Sequence, residues 1–302
     1  MSDTLFTAPA HWGWLIVGYF FFGGLAAGSY AIAALIDLFG RPEDRPAARI
    51  GYLVALPVLA LCPPLLIVDL DRPLRFWHLF FMSERPGIMF KWWSPMSIGS
   101  WALLLFSACA AASFFGAIGE IRDGKGLIGR LSALRRGALR PALAIAGGAL
   151  GFFVAGYTGV LLTVTNRPFW SDSPLVGALF LASSMSASAA LATLIAARRP
   201  QAAPVRPWLA RMEHGAAALE LLLLVAFVAT TGGVTAWRGP FGLLLGAAAL
   251  VGVLLPLGAG FALKNHEGTG ATTVVPALAA VLGSLALRAA VVFAAESVGH
   301  HA

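Results

Sequence analysis

The chain has 302 residues, of which 59% are hydrophobic and 12% are charged, and its formal net charge is +7 at pH 7. A soluble globular domain carries about 25% charged residues, so the composition excludes that class and predicts a polytopic membrane protein. The basic residues lie in short loops between apolar runs, where membrane topology explains the positive charge without a nucleic-acid partner.

Eight apolar runs follow one another along the chain, with polar, Pro or Gly residues between them. A membrane-spanning helix needs about 20 mostly apolar residues, and each run is long enough. The sequence before the first run has no basic segment and no small-residue cleavage site, so we expect a retained helix. We predict one all-α integral membrane domain over residues 1–302, with helices at 13–38, 48–69, 95–118, 141–164, 174–197, 213–231, 240–262 and 273–295.

Lys and Arg are distributed unequally between the two sides of these predicted helices. Most of the 21 lie in the loops after the first, third, fifth and seventh helices. Because the more basic side faces the cytoplasm, we expect both termini on the opposite, periplasmic or external side. A loose similarity between the first and fifth helices, which run in the same direction, is compatible with two four-helix bundles.

A polar and aromatic stretch separates the second and third predicted helices. Residues 68–101 read VDLDRPLRFWHLFFMSERPGIMFKWWSPMSIGSW. Trp and Tyr are enriched where a membrane meets water, and the topology above puts this stretch on the outer side. We therefore expect residues 68–101 to lie at the outer membrane surface.

Ionisable residues inside an apolar helix are costly and usually functional. Glu220 lies near the middle of the sixth predicted helix, and Arg288 lies about two turns from the outer end of the eighth. A buried ion pair or a side chain that reaches toward the interface is the structural alternative for each. Asp37 and the pair Glu213 and His214 lie at cytoplasmic helix ends, where they are either solvated or part of a proton route toward Glu220.

A second group of polar residues is expected near the outer face. Tyr19 lies in the first predicted helix, Tyr157 near the outer end of the fourth, and Asp69 at the end of the second. A lipophilic quinone needs an apolar slot with aromatic walls, a hydrogen-bond donor and a nearby proton-relay group, and this group could supply them. No histidine lies mid-helix to bind haem, and Cys62 and Cys109 lack the spacing of an iron–sulfur or zinc site.

Four sequence elements together resemble the NrfD/PsrC family, the polysulfide-reductase-type membrane subunits of bacterial respiratory complexes. They are DLDRPLRFWHLF, WWSPMSIGSW, YTGVLLTVTNRPFW and an Arg in the last helix. The resemblance implies a quinone-reactive subunit of the bacterial inner membrane, without haem or an iron–sulfur cluster of its own. Such a subunit exchanges electrons between menaquinone or ubiquinone near the periplasmic face and a four-cluster iron–sulfur subunit, which is attached to a molybdopterin catalytic subunit.

The resemblance also assigns roles to residues. Tyr157 matches a tyrosine that contacts the quinone headgroup, with Asp69 and Arg72 at the mouth of the site and Tyr19 and His78 as second contacts. Tyr19 stands where some members of the family have a histidine. A proton pathway would use Glu220, Arg288, Asp37 and His214, and a docking surface for the periplasmic partner would use Arg75, Arg85, Lys91 and Arg167.

Two other functions are compatible with the same sequence. A secondary, proton-coupled transporter also has membrane-buried charges such as Glu220 and Arg288, together with a weak internal repeat. A passive membrane anchor would use its polar outer residues for assembly only. A transporter is active alone in liposomes, whereas a quinone-reactive subunit needs redox partners.

Overall fold

The computed structural model describes residues 12–84, 86–122, 126–165, 167, 169–231, 239–262 and 271–299. Eight helical spans in this part of the chain are long and apolar enough to cross a membrane, as the sequence predicts. The spans are Trp14–Phe39, Pro42–Asp69, Pro95–Ile121, Leu139–Thr163, Val176–Ala197, Arg206–Thr231, Pro240–Gly260 and Thr273–Ala295.

The described residues form eleven α-helices, and all of them except α5 belong to the spans. These are α1 (Trp14–Phe39), α2 (Arg45–Leu59), α3 (Cys62–Asp69), α4 (Pro95–Ile121), α5 (Gly126–Arg130), α6 (Leu139–Thr163), α7 (Val176–Ala197), α8 (Arg206–Thr231), α9 (Pro240–Ala247), α10 (Leu255–Ala262) and α11 (Ala271–Gly299). Short 3₁₀ helices occupy Pro42–Asp44, Pro73–Leu79, Leu131–Arg135 and Pro200–Val205.

Two spans are interrupted rather than continuous. The second is divided at Ala60 and Leu61, between α2, which contains Pro57, and α3, which begins CPP. Proline has no backbone N–H to continue the helical ladder, so this break has a sequence signal. The seventh is divided by a π-helical segment, Ala248–Leu254, between α9 and α10. In that segment Gly252 meets Gly283 of α11 so closely that a Cβ on either residue would overlap the other backbone.

Helix α1 lies at the centre of the bundle. In its most apolar stretch of 18 residues, 83% of the residues are buried. The helix contacts α2, α3, α6, α7 and α11. Its glycines permit this packing, because a Cβ at Gly28 would overlap Ser188 and the backbone of α7. The first four spans pack mainly among themselves, as do the last four, and α1 and α6 join the two groups through α7 and α11.

The ends of the spans form two distinct clusters. At one end, which we call the arginine-rich end, Asp37 of α1 pairs with Arg135 and Arg140. At the other end Trp12 stacks on Trp170, with ring centroids 5.1 Å apart. The beginning of α1 and the end of α3 belong to the latter end, which we call the tryptophan end.

Candidate functional site

Tyr157 lies in α6 with its ring almost fully buried, at 7% exposure. The ring stacks on Phe153 at 5.5 Å, and its hydroxyl donates to the carbonyl oxygen of Pro95 at 2.6 Å. Gly99 of α4 makes room for it, because a Cβ there would overlap the phenol ring. Phe153 is 42% exposed on the outside of the bundle, so an aromatic surface leads from the membrane to the buried hydroxyl.

Tyr19 lies close to Tyr157, as a shared site requires. It is 4% exposed in α1, and its phenol lies near the thiol of Cys62 and the phenol of Tyr157. The Cys62 sulfur lies 4.0 Å from the carbonyl oxygen of Tyr19. The structure therefore brings two of the five predicted quinone residues together inside the bundle.

The other three predicted quinone residues lie on the chain that follows α3. Asp69 ends that helix and is half-buried beside Asp71. Arg72 precedes the 3₁₀ helix Pro73–Leu79, His78 lies within it, and both line an open cavity of about 410 Å³. Its wall consists of Leu70, Asp71, Arg72, Arg75, His78 and Leu79. Tyr157 is not among the residues that line this cavity.

The residues predicted to dock a partner have different environments. Arg75 lines the same open cavity, and Lys91 is exposed while its backbone N–H donates to the Ser97 hydroxyl at 3.0 Å. Arg167 is buried at 3% exposure, with its guanidinium 5.9 Å from the ring of Trp170. Arg167 is thus not presented on the surface a partner would contact. Arg85 lies outside the described residues.

The loop at the end of the sequence element YTGVLLTVTNRPFW is hydrogen-bonded to the last helix, α11. Phe169 has a φ of 78°, a left-handed conformation that is costly for an aromatic residue. Its backbone N–H donates to the Asp172 carboxylate at 2.8 Å, and the Trp170 indole donates to the Val291 carbonyl at 3.0 Å. These bonds hold the strained turn in place. The aromatic end of this element therefore closes the bundle against α11.

Arg288 is completely buried in α11. Each guanidinium nitrogen donates to a neighbour, and the distances include 3.1 Å from Nε to the Phe20 carbonyl and 2.7 Å from Nη2 to the Ser184 hydroxyl. A Cβ at Gly24 would contact the guanidinium at 2.8 Å, so glycine is required beside it. The further acceptors are the carbonyls of Phe180 and Ser284 and the hydroxyls of Ser183 and Ser284.

Glu220 of α8 is 3% exposed and belongs to the same network. The hydroxyls of Ser183 and Ser186 and the guanidinium of Arg288 lie near its carboxyl group. Ser183 therefore lies between the two charged groups, since it also accepts from Arg288 at 3.3 Å. The sequence indicated the two charges but not the serines between them, because a serine-rich helix is also typical of simple close packing. We call this set the Arg288 network.

Glu213 lies about two turns before Glu220 on the same helix. It is 8% exposed, and its carboxylate accepts from the Thr193 hydroxyl of α7 at 3.3 Å. The adjacent His214 instead contacts the Ala210 carbonyl of its own helix through Nδ1. The seven-residue spacing of the two glutamates gives them one helix face, and this spacing is a sequence signal that links Glu213 to Glu220.

Asp37 is buried in an ion cluster at the arginine-rich end rather than solvated. Its side chain is 2% exposed and lies 2.7 Å from Arg135 and 2.5 Å from Arg140, while the Tyr52 hydroxyl donates to it at 3.0 Å. Arg135 also lies 3.4 Å from Glu120. The described contacts of Asp37 do not lead to Glu220.

We expect Asp37→Asn to lower the free energy of unfolding by about 3 kcal/mol, because Arg135 is left buried without its closest counter-charge. Unfolding of the purified protein in mixed detergent micelles measures the change. Glu43→Gln is the control, since its partner Arg41 is exposed at 82% and such pairs contribute little. Equal effects of the two substitutions would contradict a structural role for the Asp37 cluster.

Comparison with known proteins shows matches over nearly the whole sequence. Residues 4–298 match the family model described as polysulphide reductase, NrfD. The sequence is 28% identical to the C component of the polysulfide reductase of Wolinella succinogenes, over 95% of this protein and 94% of that one. It is 26% identical to protein NrfD of Escherichia coli K12, over 72% of this protein and 70% of that one. A shorter match, 27% identical, covers 30% of this protein and 21% of the C component of the selenate reductase of Mesobacillus selenatarsenatis.

Proposed function

Because this multi-pass membrane protein belongs to the polysulphide reductase NrfD family, we propose that it is the quinone-reactive subunit of a respiratory oxidoreductase. In this proposal it lies in the bacterial inner membrane with both termini in the periplasm. It exchanges electrons between menaquinone or ubiquinone and a periplasmic four-cluster iron–sulfur subunit, which is bound to a molybdopterin catalytic subunit. The names of two relatives, each the C component of a reductase that acts on polysulfide or selenate, support a role within a larger reductase.

The observation that carries the proposal is the buried hydroxyl of Tyr157 next to an exposed aromatic surface. A phenol that donates to the Pro95 carbonyl at 2.6 Å can exchange that acceptor for a ligand carbonyl without moving its ring. Phe153 lies on the lipid-facing side and offers a stacking surface for a planar ring. These features fit a quinone headgroup that enters from the bilayer, and a bound quinone would supply the electron-carrying chemistry of the site.

The neighbouring residues then have distinct roles in the proposal. Tyr19 is the second hydroxyl near the headgroup, because its phenol lies near that of Tyr157. Asp69, Arg72 and His78 lie on the segment that leads outward from α3, where they order the mouth of the site and exchange protons with the aqueous side. Arg75 and Lys91 lie further along the same segment and belong to the surface that receives the iron–sulfur subunit.

The Arg288 network is proposed as the intramembrane part of a proton pathway. Glu220 is buried among hydroxyl groups that can pass a proton, and Glu213 with Thr193 extends this polar line along the α7 and α8 interface toward the arginine-rich end. Asp37 and His214, which the sequence also suggested, lie in separate contacts, so Glu213 is the better candidate for the cytoplasmic entrance.

Mass spectrometry of the gently solubilised complex tests the proposed function. We expect the protein to co-purify with a four-cluster ferredoxin-like protein, a molybdopterin subunit and a bound quinone, because a quinone-reactive subunit needs all three for turnover. The control is the same preparation stripped of partners by harsher detergent, which should lose quinol-linked activity. A lone, quinone-free protein that carries out transport in liposomes would support the transporter instead.

A further inference from the structure

A second cavity, of about 340 Å³, opens at the arginine-rich end of the bundle. Its walls come from three elements: α2, the end of α4 and the segment between α7 and α8. The lining includes Arg49, Ile50, Glu120, Ile121 and Arg199. The cavity lies at the opposite end of the bundle from Tyr157, and its occupant is independent of the proposed quinone chemistry.

The charges around this cavity are unequal. The only carboxylate in its wall, among the described residues, is that of Glu120, which lies 3.5 Å from Arg49 and 3.4 Å from the buried Arg135. The Arg49 Nε atom is buried and lies 3.5 Å from the Glu120 carboxylate, without the alignment of a hydrogen bond. Arg199 is exposed in the cavity wall, and no described carboxylate pairs with it. The wall therefore has more guanidinium than carboxylate, and the Glu120 carboxylate is shared between Arg49 and Arg135.

The position of the cavity favours an anion that belongs to the membrane. The cavity lies where α4 ends at Ile121, at the level where a bilayer places its headgroups. Ile121 is 52% exposed, so an apolar surface adjoins the guanidinium groups. Basic pockets between membrane helices on the cytoplasmic side bind anionic headgroups, and guanidinium forms paired hydrogen bonds with phosphate oxygens.

We propose that this cavity binds the phosphodiester headgroup of an anionic membrane phospholipid, with Arg49 and Arg199 as its cationic contacts. The acyl chains leave the cavity along the exposed apolar surface at Ile121. The bound phosphate links Arg49 of α2, from the first four spans, to Arg199 in the segment between α7 and α8. The lipid thus connects the two groups of spans at their basic end.

Native mass spectrometry of the full-length protein tests this site. The delipidated protein in mild detergent is mixed with dioleoyl-phosphatidylglycerol, with dioleoyl-phosphatidylcholine or with inorganic phosphate. We expect phosphatidylglycerol to be retained, and we expect Arg199→Gln to weaken its binding about fivefold, the effect of one arginine at a charged headgroup. The matched control is Arg198→Gln, which removes the same charge one residue earlier, outside the cavity wall, and should leave the affinity unchanged.

Three outcomes would overturn the proposal. Equal retention of phosphatidylcholine would show that charge is not recognised, and equal weakening by Arg198→Gln would show a general surface effect. Displacement of phosphatidylglycerol by inorganic phosphate at equal concentration would assign the cavity to a free anion rather than to a lipid. Arg199→Gln is the deciding variant. Arg49 is less suitable, because it also pairs with Glu120 and replacing it can disturb folding.

Discussion

Replacing Tyr157 by phenylalanine should reduce quinol-linked turnover of the assembled complex by more than about tenfold. Phenylalanine keeps the ring that stacks on Phe153 and fills the space beside Gly99, so the substitution removes only the hydrogen-bond donor. Steady-state transfer of electrons between a soluble quinol analogue and the catalytic subunit measures the effect. Recovery of the partner subunits on purification shows that the complex is intact.

Tyr30→Phe is the matched control for this experiment. Tyr30 is fully buried in α1 near the arginine-rich end, and its hydroxyl bonds Ser113 and the carbonyl of Leu143, both at 2.8 Å. The substitution therefore removes the same group from an equally buried phenol far from Tyr157, and turnover should be unchanged. Normal turnover in Tyr157→Phe, or an equal loss in both variants, would reject Tyr157 as the headgroup donor.

Replacing Arg288 by glutamine should destabilise the protein strongly, by about 3 to 5 kcal/mol, because it leaves Glu220 buried without a compensating charge. The double variant Arg288→Gln with Glu220→Gln should lose less than the sum of the two single variants, since both charges are then removed together. Unfolding of the purified protein in mixed detergent micelles gives the three values. The difference between the loss in the double variant and the sum of the two single losses measures the coupling between Arg288 and Glu220.

Ser184→Ala is the control for this comparison of single and double variants. It removes one hydroxyl acceptor of Arg288 but no charge, so we expect a loss of about 1 kcal/mol. Strict additivity of Arg288→Gln and Glu220→Gln would show that the two groups act separately. The buried arginine would then be a packing feature of α11 and not part of a shared network.

The eight spans could be predicted because length and hydropathy determine whether a helix can cross a bilayer. The sixth helix shows the limit of that reasoning, since it begins at Arg206 instead of residue 213. The charged residues there lower the local hydropathy, yet the helix continues, and Arg206 donates to the Ala196 and Ala197 carbonyls at the end of α7. The π-helical segment had no comparable signal, whereas the prolines of the second span did.

The candidate sites were predictable to different degrees. Tyr157, Glu220 and Arg288 were identifiable because a polar group inside an apolar helix needs an explanation. The ion cluster of Asp37 was not, because Arg135 lies 98 residues away in the sequence and only folding brings it near. Hydrogen-bond partners in a helical membrane protein come largely from other helices, which the periodicity of one segment does not identify.

Consecutive residues of α1 face the two proposed sites. The phenol of Tyr19 lies near that of Tyr157, and the carbonyl of Phe20, the next residue, accepts a hydrogen bond from Arg288. Gly24, about one turn further, packs directly against the guanidinium. The proposed quinone site and the proposed proton pathway therefore share one short segment of α1, and a displacement of that segment would move groups of both.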